Sequence, residues 1–394
     1  MRIESITARA IPDTRGKPTI ETTVSYDGLL ATASVPSGKS VGRHEAVELR
    51  DENGGVARAL QNVTGEIADA LVGRGFDSLD ALDAFLVELD GTPNKARLGA
   101  NALLSVSIAA MRLSALQDGV PLWQAVARRA GTTPGAPRLF VNVLNGGAHA
   151  NFHLPFQEYL IVAEGNLSEA FPRVEQVFTA LKERFPEVRI GDEGGYAPSF
   201  DTIEKPFEIL ADITAGYSGM TLALDAAASE FFDNGSYHIL GTMYSSDELM
   251  NLYEKLISQF PLTSIEDPFD ENAHEDFRRF CTKTGARALV VGDDLTVTNP
   301  VMVADAIGRK EITAVLIKPN QVGTVREAIL AVQETADAGL KSIASHRSGE
   351  TADTFIADFA YGVGAYGLKA GGLAQRERLV KYERLLAIEK EATV

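Results

Sequence analysis

The sequence predicts an α/β protein of two domains, an α+β N-terminal domain built on a three-stranded antiparallel meander and a C-terminal β/α barrel. Three observations carry this. The opening stretch alternates apolar and polar residues in IESITARAI, PTIETTVSY and LLATASV. The segment TTPGAP, residues 132–137, has linker chemistry. From Arg138 onward, short apolar runs alternate with amphipathic helical stretches. Domain spans of 1–131 and 138–394 follow from that change of pattern.

The turn residues of PDTRGKP and YDG separate the three alternating runs, as a meander requires. Helical periodicity comes next. Val56, Leu60, Val63, Ile67 and Leu71 share one face, and so do Leu79, Leu82, Leu86 and Leu89. NALLSVSIAAMRLSAL is apolar nearly all round and reads as a buried helix. In the second domain the apolar runs are LFVNVL, EYLIV, VRIG, MTLALD, LTSIE, ALVVGD, AVLIK, KSIAS and YGLK. One helix opens on a capping box from Ser245 to Glu248, and another starts with Pro300 in its first turn. Strand–helix alternation of this length points to a closed barrel of eight parallel strands, with a doubly wound open sheet as the alternative.

At 394 residues, 45% hydrophobic and 23% charged, the chain has the composition of a soluble globular protein too long for one ordinary core. Lys and Arg number 37 against 54 Asp and Glu, a formal net charge of −17. That disfavours nucleic acid, whose phosphates need a basic surface. An anionic small molecule is still compatible, because a few local cations or a metal can dominate one cleft. The single cysteine, Cys281, excludes an intrachain disulfide, and no Cys–His signature marks it as a nucleophile. The opening MRIESITARA has no apolar signal core, and no apolar run approaches membrane-spanning length. The expectation is a cytoplasmic protein without a membrane partner.

Chemistry gathers where the runs of the second domain end. MTLAL ends at Asp225, LTSI at Glu266, and ALVVG at Asp293 with Asp294 next. AVLI ends at Lys318, KSIAS leads into His346 and Arg347, and YGL ends at Lys369. In a β/α barrel all these ends lie on one rim, where active sites are built. A single charge after a strand is ordinary loop chemistry, and Asp293-Asp294 alone reads equally well as a helix cap. Successive strands that all end this way do not. Three carboxylates without histidine or cysteine partners suit a hard, oxygen-loving cation. Mg²⁺ fits better than Ca²⁺, for which no loop spacing is present, or Zn²⁺, which favours histidine and cysteine. Glu158 in FQEYLIV and Glu193 in IGDEGGYAP add a second acidic pair. Paired carboxylates can share a proton and supply a general acid, but spacing alone does not separate that from a surface pair.

The segments ARAIPDTRGKPTIET, VPSGKSVGRHEAVELRD, NKARLGANALLSVS, VNVLNGGAHAN, GDEGGYAP, LALDAAASEFF, SIEDPF, VGDDLTVTNP, LIKPNQVGT and SHRSGETADTFIAD follow one another over essentially the whole chain. In that order they resemble the enolase family, the phosphopyruvate hydratases. The resemblance implies a barrel that begins ββαα, so that its second strand is antiparallel, and assembly as homodimers or octamers. It implies reversible dehydration of a small phosphorylated carboxylic acid, 2-phospho-D-glycerate, to phosphoenolpyruvate in glycolysis. Two Mg²⁺ ions per active site are implied, the second arriving with substrate.

By the same resemblance Asp225, Glu266 and Asp293 hold the first Mg²⁺, and Ser40, on a lid, helps to hold the second. Lys318 is the base at C2. Glu193, helped by Glu158, is the acid at the C3 hydroxyl, and Lys369 pairs with the substrate carboxylate. His149, Gln157, His346, Arg347 and Ser348 bind substrate, the last two at its phosphate. A lysine must be neutral to act as a base, so nearby cations and desolvation are expected to depress the pKa of Lys318.

The chain also departs from the family pattern. The lid reads SGKSVG, where alanine usually precedes the serine and threonine follows it. Lys39 therefore either holds the anionic substrate or points to water, and Val41 is unusual beside it. ANFHLPF carries an extra histidine, His153, and the segment between Glu158 and Glu193 is short. After Lys369 the chain reads AGGLAQRER in place of a threonine and a proline-containing turn. Two further readings follow: a divergent paralogue such as a carboxyphosphonoenolpyruvate synthase, and a non-catalytic binding protein on the same fold.

Overall fold

A computed structural model describes residues 1–39, 42–147 and 154–392. β1 (Ser5–Pro12), β2 (Pro18–Tyr26) and β3 (Leu29–Ser34) form the expected antiparallel meander in the order β1-β2-β3. Asp27 and Gly28 join β2 to β3 with φ of 50° and 75°, the two-residue turn whose twist suits a hairpin. The first helical face folds as α1 (Ala57–Asn62), a π-helical turn over Val63–Ile67, and α2 (Ala68–Leu71). Its residues Val56, Val63, Ile67 and Leu71 are buried, with Leu60 packed against the same core. α3 (Leu79–Asp90) starts on Ser78, whose side chain accepts from the Ala81 amide. α4 (Ala100–Gln117) is buried on almost every side, as its all-round apolar sequence demands. It lies across β2 and β3, where the hydroxyls of Ser105 and Thr22 meet at 2.7 Å. α5 (Leu122–Ala130) precedes TTPGAP, which carries neither helix nor strand.

Eight strands close the barrel. They are β4 (Arg138–Asn145), β5 (Glu158–Ala163), β6 (Met220–Asp225) and, after a small sheet of β7 (Phe232–Asp233), β8 (Ser236–Ile239) and β9 (Thr242–Tyr244), five more. These are β10 (Leu262–Glu266), β11 (Leu289–Gly292), β12 (Ala314–Ile317), β13 (Lys341–Ser345) and β14 (Gly367–Lys369). α6 (Leu167–Arg184) and α7 (Lys205–Thr214) lie between β5 and β6. The outer layer continues with α8 (Ser246–Gln259), α9 (His274–Thr284), α10 (Pro300–Gly308), α11 (Val325–Asp337), α12 (Phe355–Gly362) and α13 (Arg376–Ala392). Ser245 and Glu248 form the capping box of α8, and Pro300 is the first residue of α10, capped by Asn299. Among the described residues, no helix is long and apolar enough to cross a membrane.

Closure of the sheet excludes the open doubly wound alternative, and the reading of eight parallel strands needs one correction. β5 is antiparallel to both β4 and β6, as the family resemblance implies. VRIG, residues 188–191, is not a strand and contributes only a bridge from Ile190 to Tyr196. The reason is topological. β5 runs from the mouth to the floor, so α6 must climb back and α7 descend before β6 can start. VRIG therefore lies in the loop between two helices.

Side chains on the strands alternate between the barrel interior and the helix layer. Phe140, Leu160, Val162, Ala223, Val291, Ala314, Leu316 and Ile343 fill the interior as a separate apolar cluster. Gly367 leaves room for it: a Cβ there would lie 2.5 Å from the Phe140 ring. Two residues nearer the mouth, on the same faces, stand Asn142, Glu158, Asp225, Asp293, Lys318 and Ser345. The apolar plug ends where the polar residues begin.

Candidate active site

The mouth holds a cavity whose walls include Glu158, Glu193, Asp225, Asp293, Lys318, His346, Arg347, Ser348 and Lys369. The residues read from the strand ends thus share one space, except Glu266, which lies behind Lys369 and bonds it. Lys369 Nζ donates to Asp225 Oδ2 at 2.8 Å and to the two oxygens of Glu266 at 2.9 and 2.8 Å. It lies 3.2 Å from Glu158 Oε1. Burial pulls its pKa down, but Asp225, Glu158 and Glu266 hold it well above the usual lysine value. Gln157 Nε2 donates to Asp225 Oδ2 at 3.2 Å, while its buried Oε1 has no hydrogen-bond partner among the described residues.

Lys318 donates from Nζ to Asp293 Oδ2. Burial is the largest influence and works to lower its pKa, yet the Asp293 and Glu266 carboxylates together leave the net shift upward. The expected depression is therefore not found in the protein chain alone: Arg347 and Lys369 do push down, but less than Asp293 pushes up. Asp293 Oδ1 also accepts from Gln321 Nε2 at 3.0 Å. Asp225 and Glu266 meet on Lys369 while Asp293 meets Lys318, so each of the three acids expected around one cation is bonded to an ammonium group. The cause is charge neutralisation: buried carboxylates take the nearest cations available.

Glu158 is buried, and burial first, then the neighbouring Glu193, raise its pKa well above the carboxylate range against the pull of Lys369. Among the described residues its Oε2 has no hydrogen-bond partner. Two ionised carboxylates cannot bond each other, and one proton held between them resolves the contact. Asn142 Nδ2 donates to Glu193 at 3.5 Å. Glu193 comes from the loop between α6 and α7, whose Tyr196 amide bonds the Val143 carbonyl of β4 at 2.9 Å. His346, buried beside this pair, has its pKa pushed well down by burial and by Arg378, so its ring is neutral. Arg347 directs its fork at Glu45, at 2.8 and 3.0 Å, and reaches Asn320 Oδ1 at 3.1 Å. Ser348 is buried, its hydroxyl accepting from Arg15 at 3.4 Å.

Lys39 donates from its half-exposed Nζ to Asp192 Oδ2 at 2.7 Å, next to Glu193. Ser40, Val41, His149 and His153 lie outside the described residues.

Several residues of the site carry no roles in the sequence reading. Asp267 follows Glu266 with φ of 40°, and its two oxygens accept the amides of Asp293 and Asp294 at 2.9 and 2.7 Å. Glu45, Asn320 and Gln321 are the partners of Arg347 and Asp293 already described. Asp267, Gln321 and Glu45 all lie inside SIEDPF, LIKPNQVGT and VPSGKSVGRHEAVELRD, segments that carry the family resemblance and so could have pointed to them.

The donor set fits a hard cation. Burial and mutual repulsion push Glu266, Asp267 and Asp294 well above the carboxylate range. Such a cluster needs protons or cations among its oxygens. Among the described residues, the ligand atoms of Asp267, Asp293 and Asp294 lie within 4.8 Å of one another, as do those of Glu158, Glu193 and His346.

Comparison with known proteins agrees over the full length. Family models described as the enolase N-terminal domain and the enolase C-terminal TIM barrel domain match residues 3–126 and 135–393. A protein named Enolase from Anaplasma phagocytophilum is 41% identical over 408 residues, covering 99% of this chain and 95% of the relative. Enolase from Methanopyrus kandleri is 42% identical over 414 residues, covering 99% and 96%. Enolase 2 from Lactobacillus johnsonii is 41% identical over 412 residues, covering 100% and 96%. With both family models matched in order and the closed barrel in its ββαα form, this chain belongs to the enolase family.

Proposed function

We propose that the chain is a Mg²⁺-dependent phosphopyruvate hydratase of glycolysis, a lyase interconverting 2-phospho-D-glycerate and phosphoenolpyruvate. One observation carries the reading. Around a single cavity stand a lysine against Asp293, a second lysine among three carboxylates, a buried carboxyl pair and a buried arginine fork.

Each group has a task. Asp225, Glu266 and Asp293 hold the first Mg²⁺, and Ser40 helps to hold the second. Bound Mg²⁺ supplies the positive charge needed to acidify a proton beside a carboxylate. Lys318 takes that proton from C2 on Nζ. The Asp293 contact keeps Lys318 charged, so the base becomes competent when Asp293 gives its charge elsewhere. Lys369, fully charged, faces the negative charge that builds on the substrate carboxylate. The Glu158–Glu193 pair retains a proton because of its burial, and Glu193 passes it to the departing C3 hydroxyl. Arg347 grips phosphate with a planar fork that a point charge cannot match, with Ser348 beside it. His149, Gln157 and His346 complete the substrate contacts. These roles rest on the family resemblance and on the shared cavity. The division of the chain at residues 132–137, a cytoplasmic location and assembly as a homodimer or octamer belong to the same proposal.

Lys39, Val41 and the altered flank of Lys369 motivated the phosphonate-forming alternative; Lys39 bonds Asp192, and Val41 lies outside the described residues. The test is the rise of phosphoenolpyruvate absorbance from 2-phosphoglycerate. The expected outcome is turnover with Mg²⁺, none after chelation, and recovery when Mg²⁺ is restored. Purified, Mg²⁺-supplied protein that stays silent on 2-phosphoglycerate would overturn the reading.

A further inference from the structure

Arg378, near the start of α13, is fully buried, yet among the described residues none of its bonds goes to a carboxylate. Burying an unpaired guanidinium is costly unless every N–H finds an acceptor. Here each does. Nε donates to Gln375 Oε1 at 2.6 Å. Nη1 donates to His346 Nδ1 and to the Arg347 carbonyl at 3.2 Å. Nη2 donates to the carbonyls of Asp192 at 2.9 Å and Ser348 at 3.0 Å. One planar group therefore ties together the Asp192–Glu193 turn and the segment His346–Ser348. Gly371 makes the space: a Cβ there would stand 2.4 Å from Arg378 Cδ.

A guanidinium donates and never accepts. His346 Nδ1 must then present a lone pair, and the ring proton must sit on Nε2. A ring nitrogen of His346 and carboxylate oxygens of Glu158 and Glu193 lie within 4.8 Å of one another. We propose that Arg378 is a positioning residue for the dehydration reaction, locking His346 in the neutral Nε2–H tautomer so that the imidazole offers a fixed donor to the Glu158–Glu193 acid pair. The downward push of burial and Arg378 on the His346 pKa supports the neutral ring. The inference rests on the hydratase reading of the same cavity. A donor fixed on one side of two carboxylates decides which of them holds the shared proton, and so keeps the acid aimed at the leaving hydroxyl.

The test starts with nitrogen-15 NMR of the histidine rings in the full-length, Mg²⁺-supplied protein. For wild type, His346 is expected to show an unprotonated Nδ1 and a protonated Nε2 at neutral pH. An Nδ1–H tautomer or an imidazolium would overturn the proposal whatever the activity. Arg378→Lys keeps the charge but loses the fork. It is expected to give mixed tautomers and a kcat lower by about 10²-fold. In a His346→Gln background the same substitution should cost little further, because the two residues act as one unit. An equal loss in both backgrounds, with the tautomer unchanged in Arg378→Lys, would reduce Arg378 to a structural strut and sink the idea. Wild-type protein inactive on 2-phosphoglycerate would instead overturn the hydratase reading, while the ring nitrogens would still report on the tautomer.

Discussion

Lys318 shows how a single residue can be placed by sequence while its charge is set by partners from other strands. Its position two residues beyond the buried Leu316 follows from strand alternation, and its place in the cavity follows from that. Its charge does not follow, because Asp293 comes from a different strand and no local pattern announces the pair. The Lys318→Ala variant, assayed with Mg²⁺, should lose about 10³-fold in kcat while its thermal melt stays within a few degrees of wild type. Activity retained in full would remove Lys318 from the role of base. The strand-end rule also explains its own omission. Asp225, Glu266 and Lys369 end their strands, but Glu158 begins β5, which enters the barrel in reverse and is paired with Asp225 across the sheet.

At the scale of elements, the helices were the most legible part, since α4 and the capped start of α8 follow from apolar periodicity and local side-chain bonds. VRIG was misread because a short apolar run in a loop carries the same composition as a short strand. The AGGLAQRER stretch after β14 now has a physical account. Gly372 donates its amide to the Glu193 carbonyl at 2.7 Å, and a Cβ on Gly372 would sit 2.2 Å from the Gly194 carbonyl oxygen and 2.7 Å from that of Asn142. The two backbones cross with no room for a side chain. Gly372→Ala should therefore shift the Glu193 loop, destabilising the fold by about 1–3 kcal/mol. Misplacing the acid should also lower kcat by about 10²-fold. Urea unfolding and the 2-phosphoglycerate assay measure the two effects, and unchanged values in both would show that the crossing has slack.

At the scale of the whole molecule, contacts far apart in sequence hold the meander half against the barrel, and no sequence pattern points to them. Ser37 and Gly349 exchange backbone hydrogen bonds at 2.8 and 2.9 Å. Arg112 on α4 makes two bonds of 2.7 Å to Asp353, which also accepts the Ser34 amide at 2.9 Å. Burial pushes the Asp353 carboxyl up, but Arg112 and the backbone donors win and its pKa lies below the usual value. A carboxyl depressed on folding lends stability above its unfolded pKa of about 3.9, and that stability drains away as pH falls through the lower folded value. Melting temperature should thus fall steeply as pH drops below about 4. Arg112→Gln, which strands the carboxylate, should cost about 3 kcal/mol at neutral pH and flatten the acid limb of the curve. A variant with wild-type acid sensitivity would show that this joint is not where acid acts.

The reversed strand has a consequence for how such a site can diversify. Asp225, Glu266 and Lys369 belong to strands of the closed sheet, so moving any of them disturbs the hydrogen-bonded ladder shared with neighbouring strands. Glu193 arrives instead on the turn of a helical hairpin, between α6 and α7, outside that ladder. Proton removal and leaving-group departure are therefore mounted on separable supports. A descendant could exchange residues 185–204 to expel a different group and keep the barrel strands, so long as the loop's bonds to Val143, Gly372 and Arg378 were rebuilt.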